Sequence, residues 1–151
     1  MPYARRDYPF PFFNVASSVA KARFLLRTTL LSWEYGDDVI EPALLIMSEL
    51  ATNAVLHATE SAVFKVVCEL QQNTLTIGVI DYDSRLPTKR DLGIEGEGGR
   101  GLLVVETLAD DWGCQSLAPG KLVFGRLYVA RPPIYAAAQE RVPAGLPLCS
   151  T

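Results

Sequence analysis

One segment near the middle of the chain, Glu49 to His57, constrains the fold more than any other. Glu49, Asn53 and His57 recur at every fourth position, so on a helix they form a single polar stripe. The positions beside this stripe are apolar and give the helix a face to bury: Leu50, Ala51, Ala54, Val55 and Ala58. We therefore predict a helix that packs on a core and presents a carboxylate and a carboxamide one turn apart.

The chemistry of this stripe suggests a site. The carboxamide oxygen of Asn53 is a hard, neutral ligand that suits Mg²⁺, and the carboxylate of Glu49 can accept a proton or orient a water. Asn53 is therefore a candidate metal ligand and Glu49 a candidate general base. The alternative is a partly solvated helix face with no chemistry, and this segment alone leaves both interpretations open.

Size and charge exclude several classes of protein. A chain of 151 residues suits one domain. The net charge is −3 and Lys and Arg form no run, which argues against direct binding to nucleic acid or to an anionic membrane. No apolar stretch approaches the ~18 residues that span a bilayer. The N-terminus lacks the apolar core of a secretory signal, and the three cysteines show no paired spacing. These features predict a cytoplasmic protein without zinc or disulfides.

Hydrophobic periodicity predicts the order of the elements. Helical spacing runs from Val19 to Trp33 after the candidate N-cap Ser17-Ser18, and a second helix begins at Asp37 or Asp38. Two β-hairpins and a short helix follow, in the ranges 62–70 with 74–81, 102–108, and 112–117 with 121–129. This order predicts an α+β, two-layer sandwich, in which a mixed, mostly antiparallel sheet carries its helices on one face.

The same pattern divides the chain into three parts. Residues 1–14 are an N-terminal arm or edge strand, residues 15–131 the domain, and residues 132–151 a C-terminal tail after Pro132-Pro133. The polar segment from Asp83 to Gly99 is longer than loops without a function usually are. We predict that it is a lid that closes on a ligand, and an inert surface loop is the alternative that its composition leaves open.

Two further motifs carry chemistry. Asp81 ends the apolar strand Leu75 to Ile80, and a buried carboxylate there needs a donor, such as the exocyclic amine of adenine. A turn or capping aspartate is the alternative. The glycine-rich run from Gly96 to Gly101 leads into a helix, where backbone N–H groups and the helix N-terminus favour an anion. Arg100 in this run could add a charge-assisted contact to a phosphate.

Taken in order, these motifs resemble those of the GHKL ATPase superfamily, over about residues 15–130. Its pattern has an N-box with Glu-x-x-x-Asn, an adenine-binding Asp box and a phosphate-binding Gly box. The segments Ser48–His57 and Glu97–Leu102 most resemble those of the small, single-domain anti-sigma-factor serine kinases of bacteria. Trp33 and Leu86-Pro87 match that type as well.

The resemblance implies a histidine kinase-like (Bergerat-type) ATPase fold that binds ATP with Mg²⁺. By resemblance, Asn53 would ligate Mg²⁺, Glu49 would be the catalytic base, and Asp81 would bind adenine. The nucleotide would also be bound by residues of the Gly box and by the basic position after the N-box: Gly99, Arg100, Gly101, Leu102 and His57. For His57, a structural role is the alternative.

The chain departs from the family pattern at two places. Where the Asp box usually continues with glycines, this chain has Asp83 and Arg85, and Leu122 stands where many relatives have a threonine facing the nucleotide. Two functions therefore remain open. One is a kinase that phosphorylates serine or threonine on a STAS-type anti-anti-sigma protein and sequesters a sigma factor. The other is a catalytically silent binding module of the same fold. A homodimer is expected by resemblance in either case.

Overall fold

A computed structural model describes residues 3–7, 11–58, 60–83 and 100–130 of the chain. It has six strands and three helices in these ranges. In chain order they are β1 (Tyr3–Asp7), β2 (Phe12–Phe13), α1 (Ser17–Ser32), α2 (Asp37–His57), β3 (Val63–Gln71), β4 (Thr74–Asp81), α3 (Arg100–Leu108), β5 (Asp111–Ser116) and β6 (Lys121–Tyr128). The two predicted hairpins and the short helix before the second one are confirmed.

The described strands form one sheet in the order β1-β3-β4-β6-β5, and β2 also pairs with β3. Every pairing among them is antiparallel. The helices pack on one another and on this sheet, chiefly through α2, which contacts α1, α3, β4 and β6. The α+β fold with a largely antiparallel sheet and a helical layer is therefore confirmed.

Alternation along the central strands gives the sheet an inner face, covered by the helices, and an outer face. On β4 the inner positions are Leu75, Ile77, Val79 and Asp81, all of them buried. The odd-numbered residues of β6 lie on the same inner face, because Asp81 pairs with Lys121 and Val79 pairs with Val123. The outer face therefore carries the even-numbered residues of β4 and β6.

Helix α2 is the centre of the core. Its buried residues are Ile40, Ala43, Leu44, Ile46, Met47, Leu50, Ala51 and Ala54. In the part of the chain that the structure describes, α2 is the one helix long and apolar enough to cross a membrane by length and composition. Because this helix supplies so much of the core between the sheet and the other two helices, we interpret it as the core helix of a folded domain.

One expectation about α1 is wrong. The helix begins at Ser17 itself, its N-cap is Ala16, and no side chain caps it by a hydrogen bond. The first turn is stabilised by backbone contacts instead, because Ser18 N–H donates to the Val15 carbonyl at 3.0 Å. Serine favours caps on average, but Ser18 is needed inside, where it is 2% exposed.

The chain just before α1 contacts the turn that follows α2. Asn14 Nδ2 donates to the carbonyls of Ala58 and Ser61, both at 2.9 Å. Asn14 N–H donates to the Ala62 carbonyl at 2.9 Å. These bonds tie the chain before α1 to the turn that follows α2. The proposed division into arm, domain and tail stays a prediction, and the tail 132–151 lies outside the described residues.

Candidate functional site

The polar stripe of α2 has the predicted arrangement. Glu49, Asn53 and His57 all lie within the helix, which ends at His57. Glu49 and Asn53 are half-buried and His57 is exposed, while Leu50, Ala51 and Ala54 beside them are buried. The stripe therefore runs along the border between the core and solvent, where a polar side chain can reach a ligand without losing its support.

Burial raises the pKa of the Glu49 carboxyl above its ordinary value. The cause is desolvation, which disfavours the charged form of a carboxylate. A carboxylate with a raised pKa is a better proton acceptor at neutral pH than an ordinary surface glutamate. The position that the sequence suggested for a base therefore also has a suitable electrostatic environment.

Asp81 lies at the end of β4 and its side chain is 5% exposed. Its Oδ1 atom accepts two hydrogen bonds, one from Lys121 Nζ at 3.1 Å and one from the Asp83 backbone N–H at 3.1 Å. The carboxylate is thus buried, charged and paired. It faces the helical layer, as Leu75, Ile77 and Val79 do on the same strand.

Lys121 lies beside the candidate site residue Asp81, although no motif in the sequence singles it out. It pairs directly with Asp81 across β4 and β6, and its own side chain is 12% exposed. Its place follows from the register of β4 with β6, which sets Lys121 opposite Asp81. Because side chains alternate along a strand, Lys121 then lies on the inner face with Asp81, and its neighbour Leu122 lies on the outer face.

The interpretation of Leu122 as a pocket residue is wrong for the same reason. Leu122 pairs with Ile80 on the outer face of the sheet. A Cβ placed on Gly78 would come within 2.7 Å of Leu122 Cδ1, which shows that this side chain lies over Gly78 on that outer face. Leucine at position 122 therefore takes no hydroxyl away from the side of the sheet that carries Asp81.

Asp83, where the family pattern has a glycine, has a structural role here. It is 2% exposed, and its Oδ2 accepts a hydrogen bond from the Glu60 backbone N–H at 3.3 Å. Close by, Tyr82 N–H donates to Ser61 Oγ at 3.0 Å. The chain after Asp81 is therefore tied to the turn after α2, and the two polar motifs are held at one end of the fold.

A tight turn before β6 packs on the backbone of Asp81. Gly120 has φ +91°, and a Cβ there would lie 2.1 Å from the Asp81 carbonyl oxygen. Only glycine allows both this conformation and this approach. The turn also contains a cis peptide bond between Ala118 and Pro119, and Leu117 N–H donates to the Gly120 carbonyl at 2.8 Å. The turn brings Lys121 opposite Asp81.

The Gly box lies only partly in the described residues. Helix α3 begins at Arg100 and contains nine residues, so the glycine-rich run does lead into a helix, as predicted. Arg100, Gly101 and Leu102 form its first turn, where the helix N-terminus favours an anion. Gly99 and the predicted lid between residues 84 and 99 lie outside the described residues.

The chain matches a known protein family over most of its length. The sequence matches the family described as the histidine kinase-like ATPase domain over residues 14–123, which is well over half of the chain. Among curated proteins, no match to the chain is found. The matched range begins at Asn14, which ties the N-terminus to the α2 turn, and ends within β6, after Lys121. The chain belongs to the histidine kinase-like ATPase domain family.

Proposed function

We propose that this protein is an ATP-binding regulator of the anti-sigma-factor kinase type. It binds ATP with Mg²⁺ and transfers the terminal phosphoryl group to a serine or threonine of a STAS-type anti-anti-sigma partner. It also sequesters a sigma factor. Membership of the ATPase family supports nucleotide binding, and the resemblance of the N-box and Gly box supports the regulatory role.

One observation carries the proposal. Glu49 is half-buried with a raised pKa, one helical turn before Asn53 on the same face of α2. A base and a metal ligand on one rigid helix have a fixed separation, which positional catalysis requires.

The donor set fits Mg·ATP by its chemistry. The Asn53 carboxamide oxygen would complete a Mg²⁺ shell that consists mainly of phosphate oxygens and water, as this ion prefers. The buried Asp81 carboxylate would accept from the adenine amine. Gly99, Arg100, Gly101 and Leu102, where α3 begins, would line the phosphates. His57, exposed at the end of α2, would lie beside them.

Phosphoryl transfer requires only one proton acceptor from the protein. The hydroxyl oxygen of the acceptor serine forms a bond to the γ-phosphorus, the bond from that phosphorus to the bridging oxygen breaks, and ADP departs with the electron pair. Glu49 accepts the hydroxyl proton. Positioning and charge neutralisation supply most of the catalysis in such reactions. One carboxylate of raised pKa is therefore enough acid–base machinery.

The test is transfer of labelled phosphate to a co-encoded STAS protein, with Glu49→Gln and Glu41→Gln compared. Both glutamates lie on α2, but Glu41 is 54% exposed and bonds to Arg27 at 3.2 Å. Glu49→Gln should retain ATP binding and lose transfer by at least about 100-fold, within the range for general-base catalysis. Glu41→Gln should transfer at the wild-type rate. Full transfer by Glu49→Gln would remove the base from the proposal.

The same assay has a pH dependence with a known sign. Burial raises the pKa of Glu49, so its protonated form, which cannot accept a proton, persists to higher pH than in an exposed glutamate. Transfer should therefore fall as the pH is lowered through this raised pKa, in a range above the usual one for glutamate. A rate that stays flat until the ordinary glutamate range would contradict the assignment.

A second candidate function is favoured by a specific observation. Asp81, the proposed adenine ligand, already holds Lys121, and Asp83 replaces a glycine of the family pattern. Both features suit a binding module that keeps the fold and performs no chemistry. If the protein is such a module, the wild-type protein should transfer no phosphate to any STAS partner and should still bind the sigma factor.

Assembly and location are part of the proposal. A homodimer, a cytoplasmic location and the absence of direct contacts with nucleic acid or membrane follow from the resemblance and from the net charge of −3. Sedimentation of the purified protein alone, and then with its partner, measures the assembly. A monomer that binds a sigma factor with full affinity would remove the homodimer from the proposal.

A further inference from the structure

We propose that Lys121 determines the purine specificity of the site, and that the Asp81–Lys121 pair accepts 6-oxo purine nucleotides such as ITP and GTP alongside ATP. The inference rests on the proposed nucleotide binding and adds the class of base to it. It comes from the contact between the two side chains, whose Nζ and Oδ1 atoms lie 3.1 Å apart.

The pair lies at one end of the sheet, on its inner face. Lys121 and Asp81 are direct cross-strand partners at the ends of β6 and β4, on the face of the sheet that the helices cover. Their side chains are 12% and 5% exposed. A ligand that contacts Asp81 on this face therefore contacts Lys121 as well, because the two polar groups lie side by side.

The two groups have opposite roles in hydrogen bonding. An ionised carboxylate only accepts hydrogen bonds, and an ammonium only donates them. The N6 amine of adenine donates and its N1 accepts. In hypoxanthine and guanine the roles of these two positions are reversed, because O6 accepts a hydrogen bond and N1–H donates one. A carboxylate alone would bind the amine and repel O6, whereas a carboxylate beside an ammonium offers a partner to each edge.

Further contacts hold the pair in place. Asp81 Oδ1 also accepts from Asp83 N–H at 3.1 Å, and the Gly120 turn lies against the Asp81 backbone. Donors and acceptors that are fixed before a ligand arrives discriminate by their arrangement, because moving them costs free energy. The simpler alternative is that the ion pair only joins the two strand ends.

Titration calorimetry with Mg·ATP and Mg·ITP separates these alternatives, since the two nucleotides differ only at the 6-position and the proton on N1. The wild-type protein is compared with Lys121→Thr and Lys121→Arg. The matched control is Lys65→Thr, because this substitution also removes one lysine charge from the sheet. Lys65 lies on β3 and pairs with Ile80 on the outer face, away from Asp81.

We expect the wild-type protein to bind ITP within about tenfold of ATP. Lys121→Thr should lower the ITP affinity relative to ATP by at least about tenfold, because O6 then faces a carboxylate without its donor. Lys121→Arg should retain ITP binding, since a guanidinium also only donates. Lys65→Thr should leave the ratio unchanged.

Three results would overturn the inference, and they distinguish its failure from the failure of the proposed function. Wild-type protein that binds ATP but discriminates against ITP by more than about 100-fold overturns the inference and leaves the proposed function intact. The same holds if Lys121→Thr leaves the ratio unchanged. Wild-type protein that binds neither nucleotide overturns both. If Lys121→Thr does not fold, the wild-type ratio and that of Lys121→Arg still decide the matter.

Discussion

Two ion pairs use cations of the same strand, β6, in different environments. Lys121 bonds to Asp81 at 3.1 Å on the inner face, and the two side chains are 12% and 5% exposed. Arg126 bonds to Asp111 at 2.8 Å on the outer face, with 40% and 48% exposed. Arg126 also lies over the ring of Phe124, 4.5 Å from its centroid. The shorter pair is the more exposed one.

Distance alone is therefore a poor guide to the contribution of an ion pair. In the exposed pair the charges are solvated and screened, so their attraction contributes little to stability. In the buried pair each charge is costly without the other, and water competes less for them. For this reason we propose the buried pair, and not the exposed one, as the place where a ligand exchanges hydrogen bonds with the protein.

The largest expected effect is on the buried pair. Asp81→Ala should lower the free energy of unfolding by roughly 3–5 kcal/mol, because it removes one half of a buried ion pair and a carboxylate that accepts from both Lys121 Nζ and the Asp83 N–H. Asp111→Ala is the matched change on the outer face and should cost at most about 1 kcal/mol. Urea unfolding measures both. Equal losses would show that the buried environment of Asp81 does not matter.

The next effect concerns the turn that positions Lys121. Gly120→Ala should lower the free energy of unfolding by about 1–3 kcal/mol, because φ there is positive and the Cβ would meet the Asp81 carbonyl oxygen. Gly113→Ala on β5 is the control, since its Cβ would meet only the end of the Phe124 ring, 2.9 Å away, which can move. A Gly120→Ala variant as stable as Gly113→Ala would mean that the turn shifts freely.

The smallest effect is expected for the exposed cation. Arg126→Met should change the free energy of unfolding by less than about 1 kcal/mol, since both the ion pair and the contact with Phe124 are solvated. Raising the salt concentration should shrink even this difference. Thermal unfolding at low and high salt measures it. A loss as large as that of Asp81→Ala would contradict the contrast between the two faces.

The parts of the fold that were predictable are those encoded in local periodicity. The stripe of Glu49, Asn53 and His57 gave the helix, and the alternation of β3 and β4 gave the first hairpin, because side-chain direction repeats with the period of each element. The order of elements then restricted the sheet and its helical layer to few arrangements.

The parts that were missed depend on contacts between distant residues. Lys121 and Asp81 are 40 positions apart, and their pairing follows from the register of β4 with β6, which the sequence does not specify locally. Leu122 was misplaced for the same reason, since a shift of one residue exchanges the two faces of a strand. The role of Asn14 depends on the turn after α2, which lies far from it in sequence.

The most direct test of the account is Mg²⁺-dependent ATP binding by the wild-type protein and two asparagine variants. Asn53 lies half-buried on the polar stripe of α2, whereas Asn73 is exposed in the turn between β3 and β4. By calorimetry, we expect Asn53→Ala to lose more than ~1.4 kcal/mol of binding free energy, a factor of ten, and to stay folded. Asn73→Ala should bind as the wild-type protein does. Unchanged Mg·ATP affinity in Asn53→Ala would contradict the assignment of this face of α2 as the nucleotide site.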